Sequence, residues 1–201
     1  MRTARWLLGL SLLPASISAQ APAGPVATVL PADVQIAAAV LPLPEEFRAS
    51  AQVLGYRAGN PRLVMLRETD GPFICLASDP AAERFHVACY HRSLEPFMVR
   101  GRELRAQGVR DPQVDTVRFA EVKSGKLAMP TQPAALYSLS GPAGSFDPAT
   151  RTATGARPLF VIYTPGATTE TTGLSTKPIE GTPWIMFAGT PKAHIMFVPR
   201  M

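Results

Sequence analysis

Residues 73–92, Phe-Ile-Cys-Leu-Ala-Ser-Asp-Pro-Ala-Ala-Glu-Arg-Phe-His-Val-Ala-Cys-Tyr-His-Arg, decide how the chain is read. Two runs rich in β-branched, aromatic and sulfur side chains, 73–78 and 84–92, flank Asp79-Pro80-Ala81-Ala82-Glu83, a cluster of turn formers. This is a β-hairpin. If the turn centres on Ala82, Phe73 faces His91, Cys75 faces Cys89 and Ala77 faces Val87; a turn centred on Ala81 leaves the cysteines diagonal. Directly opposed residues lie about 4.5–5.5 Å apart at Cα, within reach of a disulfide. The expectation is therefore a Cys75–Cys89 bridge, contributing on the order of 3 kcal/mol in the chain-entropy view.

Working outward, 51–57 and 62–68 are two further strand-like runs around the turn Ala58-Gly59-Asn60-Pro61, so four antiparallel strands in succession are expected. Upstream, Asp33 to Val40 reads as a short helix stopped by Pro42 and Pro44. Downstream the period changes. Ser93 is a plausible N-cap for a helix whose stripe is Leu94, Phe97, Met98 and Leu104, with Arg102 on the polar side. Asp111 and Pro112 then suit the start of a second helix. Strand-like runs return at 134–140, 157–165 and in a closing pair. The fold class expected is α+β: a mainly antiparallel sheet, as a meander or partly closed barrel, with a helical pair inserted midway.

The start of the chain has the form of a secretory signal. Arg2 and Arg5 precede the apolar run Trp6–Leu13, Pro14 breaks it, and small residues lead to cleavage before Gln20. That gives a signal peptide at 1–19, a flexible Pro/Ala-rich leader at 20–32 and one α+β domain at 33–201. The apolar run is shorter than the ~20 residues of a membrane span. The product expected is a soluble, exported protein, periplasmic or extracellular, with no stable membrane anchor after cleavage. Two cysteines suit such an oxidising compartment.

The 20 Lys and Arg residues exceed the 15 Asp and Glu, a formal +5 that falls to +3 once Arg2 and Arg5 are removed. The arginines of 100–118 are interleaved with acids, which reads as a solvated helical face; nucleic acid is not an expected partner. The chain carries no GxGxxG, Walker A, HExxH, CxxC or GxSxG pattern.

A binding or structural module for an unidentified ligand or protein partner is thus the leading reading. The alternative is a hydrolase-like enzyme with acid–base chemistry at His86 or His194. Its candidate helpers are Glu83, Tyr90, Glu95 and the Thr-rich loop 167–176. His86 and His91 are five apart on one strand and point to opposite faces, so they do not share a metal. His86 lies in a row with Arg84, Tyr90 and Arg92, which is either an exposed sheet face or an anion contact.

The closing stretch 181–197 repeats Gly-Thr-Pro at an offset of eight and Ile-Met-Phe at an offset of ten. Unequal offsets favour a hairpin over a duplication. Pairing Met186 with Met196 puts Ile185, Phe187, Ile195 and Phe197 on an expected core face. The opposite face carries Trp184, Met186, His194, Met196 and Val198. His194 and Met196 point the same way, and with Met186 they form a minor alternative, a Cu(I) site. No other cofactor is indicated.

Overall fold

The computed structural model describes residues 28–199; the signal peptide and most of the leader expected from the sequence lie outside them. Helices α1 (Ala32–Ala39) and α2 (Glu45–Arg48) precede strands β1 (Gln52–Arg57), β2 (Asn60–Arg67), β3 (Phe73–Leu76) and β4 (Arg84–His91). Helices α3 (Glu95–Ala106) and α4 (Gln113–Lys123) follow. The chain continues through β5 (Ala134–Pro142), β6 (Phe146–Asp147), β7 (Thr152–Ala153), β8 (Arg157–Tyr163) and the one-turn α5 (Thr169–Thr172). It closes with β9 (Trp184–Met186) and β10 (His194–Phe197).

Eight strands form one open sheet in the order β2-β1-β3-β4-β5-β8-β10-β9, and β6–β7 make a separate two-stranded ribbon. The fold is mixed α+β, mostly antiparallel, and the sheet does not close into a barrel. The β3–β4 register opposes Phe73 to His91 and Cys75 to Cys89, and the two cysteines are disulfide-bonded. The pairing expected from the sequence holds.

The run of four successive antiparallel strands does not. β3 lies beside β1, parallel to it, and β2 is left at the sheet edge. The connection 68–72 looks like a hairpin turn in sequence but carries the chain back across the end of β1. Arg92 fastens it there: its guanidinium donates to Gly71 O (3.0 Å), Thr69 O (2.7 Å) and Gln52 Oε1 (3.0 Å). Gly71 is required at this crossing, because a Cβ would lie 1.9 Å from Ser50 O.

One sheet face buries Val53, Phe73, Cys75 and Cys89 under Ala39, Leu43 and Phe47 of the α1–α2 layer. Next to it, Phe85 and Val87 pack with Ala38 and with Phe146 of the ribbon. The other face buries Ile74, Tyr90, Val161 and Tyr163 against Leu94 and Met98. The expected stripe is therefore the docking face: Leu94, Phe97 and Leu104 are buried. Two helix starts differ from the reading. Ser93 does not cap α3: it lies in a 3-10 turn, Arg92–Leu94, that leads into the helix. His91 caps that turn, its Nδ1 accepting from Ser93 N–H, while α3 itself starts after Leu94 without a side-chain cap. α4 begins at Gln113, and the Asp111 carboxylate is taken up by Arg105 at 3.1 Å.

Candidate functional site

Three places bring polar chemistry together, all on or beside the face covered by α3 and α4. The first is a cleft of about 500 Å³ between the β1–β2 hairpin, Asp79 and the C-terminal half of α3. Tyr56, Pro61, Leu63 and Ala106 supply apolar wall, and Arg62, Arg102 and Arg105 supply guanidinium groups beside Asp79 and Glu103. β1 presents Tyr56 because its backbone is clamped by the buried Gln35. The Gln35 amide accepts from Tyr56 N–H (2.8 Å) and donates to Tyr56 O (2.9 Å). Burial, then the charge of Asp79, pushes the Tyr56 phenol up to about 12, so it stays protonated.

Behind this cleft stands a triad. Tyr90 O–H donates to Glu95 Oε2 at 2.5 Å, while Arg102 donates to Tyr90 Oη and to Glu95 Oε1, each at 2.9 Å. Only 1% of Tyr90 is exposed. The row of Arg84, His86, Tyr90 and Arg92 is therefore not an open sheet face, because α3 covers its Tyr90 end and Arg92 is spent on backbone carbonyls. Burial holds the Tyr90 phenol well above its usual pKa; Arg102 pulls against that and Glu95 adds to it. This tyrosine is a fixed donor, not a base.

The second place is His86. Its Nδ1 lies 2.7 Å from Ser140 Oγ, the residue opposite it on β5. The ring edge meets solvent, yet neighbouring strands desolvate it enough to push its pKa below the ordinary histidine value. Glu83 is exposed in the turn before β4 and makes no side-chain hydrogen bond among the described residues. Ser140 was not singled out in the sequence: it lies 54 residues from His86, and only strand pairing joins them.

The third is the closing hairpin. Its register differs from the expected one by a shift of two: Met186 faces His194, Ile185 faces Ile195 and Trp184 faces Met196. The reason lies in the connection. β9 ends at Met186, Phe187 turns to φ 53°, and Phe187 O accepts from Thr190 N, so the strand cannot extend to the assumed pairing. Burial differs too. Trp184 and His194 are each 6% exposed, whereas Phe187, assigned to the core, is 42% exposed.

His194 is held on several sides. Its Nδ1 lies 2.7 Å from Lys192 O, and a carbonyl only accepts, so Nδ1 carries the proton and Nε2 the lone pair. The rings of Tyr163 and Phe187 flank it at 5.0 and 5.6 Å. Burial lowers its pKa, partly offset by the bond to Lys192 O. Nearby, Asp115 accepts from Lys192 Nζ at 2.8 Å and from Arg118, whose guanidinium also lies 3.8 Å from the Phe97 ring centre. Burial alone would raise the Asp115 pKa, but these two cations hold it below the usual carboxylate value.

In the Thr-rich loop, the hydroxyls of Thr168, Thr171 and Thr172 are engaged in the loop's own hydrogen bonds. Among the described residues no group of three His, Cys, Asp or Glu side chains is placed to hold a metal, and no helix is long and apolar enough to cross a membrane. No protein-family model, no curated protein and no solved structure matches this chain.

Proposed function

We propose that the protein is an exported, disulfide-stabilised binding module whose ligand is a small anion with an apolar body. The observation that carries the ligand class is the cleft beside α3, with tyrosine, leucine and proline walls and three guanidinium groups at its rim. Small-molecule sites combine apolar walls with a few placed polar groups, and arginine forks match carboxylates. Arg102 and Arg105 are tied to Glu95 and Asp111, whereas Arg62 has no ion pair among the described residues and is the group assigned to the ligand. Export is supported by the signal-like residues 1–19 and by the disulfide, which persists in oxidising compartments.

Anilinonaphthalene sulfonate, an anion with a fluorescent apolar body, tests the cleft. Its emission should rise on binding, and Arg62→Ala should weaken it about tenfold while Arg157→Ala, on a distant strand end, does not. Equal effects from both would discard the cleft. Intact mass of secreted material should give Gln20 as the first residue; a retained leader would discard simple export.

A second reading, an enzyme, draws on the 2.7 Å contact between His86 and Ser140. A hydroxyl beside a neutral imidazole is the core of nucleophilic catalysis. A fluorophosphonate should then label Ser140 and lose that label in His86→Ala; unlabelled protein would leave the binding module alone.

A further inference from the structure

We infer that the closing hairpin is a binding site for a soft monovalent metal ion of the Cu(I) or Ag(I) kind, distinct from the cleft beside α3. The pairing of β9 with β10 puts Met186 directly across from His194 and Trp184 directly across from Met196. Strand side chains repeat every two residues, so all four stand on the same face. They form a two-by-two block: one imidazole, two thioethers and one indole.

That donor set is selective. Thioether and imidazole ligands suit Cu(I), whereas calcium, magnesium and manganese ask for oxygen, and structural zinc asks for thiolates, imidazoles or carboxylates. An indole face adds attraction for a cation without a covalent bond. Charge bears on which ion is taken rather than on affinity, since a net positive surrounding repels a divalent ion about twice as strongly as a monovalent one. Lys192 and Arg118 stand against the single carboxylate of Asp115, so the surroundings are already cationic and disfavour a divalent ion.

The imidazole is prepared as ligating histidines are. Nδ1–H is committed to Lys192 O, which fixes the tautomer and leaves Nε2 as the donor. Phe187, a non-glycine residue held at φ 53°, brings its ring beside His194, and Lys192 Nζ lies 4.3 Å from the centre of the same ring. Left-handed backbone at such a residue is disfavoured and persists where its surroundings impose it. Met196 is half-buried against the Tyr90–Leu94–Val161 cluster, so one of the two thioethers is backed by apolar side chains. Both cysteines are locked in the disulfide, so no thiol competes for the ion.

Silver titration of the protein beginning at Gln20 tests this without any reductant. Trp6 and Trp184 are the two tryptophans of the sequence, and Trp6 falls within residues 1–19, so in that protein the emission belongs to Trp184 alone. One Ag(I) per chain should quench it in chloride-free buffer. Met186→Leu and Met196→Leu, close in volume and therefore expected to fold, should each weaken binding at least tenfold, and His194→Gln should do so more. Met65→Leu, an exposed methionine on β2, should change nothing. Ascorbate-maintained Cu(I), competed against a bathocuproine chelator, should give the same order of variants. Silver binding no tighter than a matched mixture of free methionine and imidazole would overturn the site. So would equal affinity in the Met186→Leu, Met196→Leu and Met65→Leu proteins, or comparable affinity for Zn(II).

Discussion

Phe97 and Arg102 stand on different sides of α3, and the structure changes what each is worth. Phe97 is fully buried, and Phe97→Ala should cost about 3–5 kcal/mol in denaturant unfolding. Arg102 looked in sequence like a solvated arginine. It donates to both Tyr90 and Glu95, and charge-assisted bonds of this kind make Arg102→Ala cost about 1.5 kcal/mol rather than nothing. Asp115 gives a pH signature. Its folded pKa lies below the ordinary value of about 3.9, so its contribution is complete above that and is lost as pH falls through the folded value. Acid unfolding followed by circular dichroism should therefore be shallower below pH 4 in Asp115→Asn than in the wild type. The same substitution should cost about 3–5 kcal/mol at neutral pH, because it leaves the buried Arg118 without its anion.

At the scale of elements, the β3–β4 hairpin was legible because its evidence is local: a turn, two alternating runs, and two cysteines that can meet in only a few registers. The crossover after β2 was not. Glu68-Thr69-Asp70-Gly71-Pro72 has the composition of a hairpin turn, and what sends β3 to the far side of β1 is a set of bonds from Arg92, some twenty residues away in sequence. Gly71→Ala tests that crossing. The added Cβ meets a backbone oxygen that cannot rotate aside, so the loss should be at least about 2 kcal/mol, read as a lower denaturant midpoint. The closing hairpin was half legible. Its existence and the sharing of one face by His194, Met186 and Met196 follow from period-2 alternation. Its register depended on where Phe187 leaves the strand, and its buried side on where α3 and α4 dock. The partnership of His86 with Ser140 was hidden for the same reason, since it exists only once β4 and β5 pair.

For the molecule as a whole, the disulfide ties one hairpin inside the sheet rather than two distant layers. Reduction should lower stability by about 3 kcal/mol without opening the sheet, measured as the midpoint shift with and without reductant. Deleting residues 181–201 is far more severe. β10 is an interior strand between β8 and β9, so its loss strips residues 160–163 of β8 of their neighbour and should abolish cooperative unfolding. That placement sets a clock on synthesis. At about 5–20 residues per second, the ribosome needs roughly 2–7 s to pass from the end of β8 to the end of β10. Throughout that interval β8 presents an open row of amides and carbonyls, the surface on which strands of other chains add. A growing chain of this protein is thus obliged to remain unfinished until its last residues arrive, and whatever shields nascent chains must cover Phe160–Tyr163 until they do.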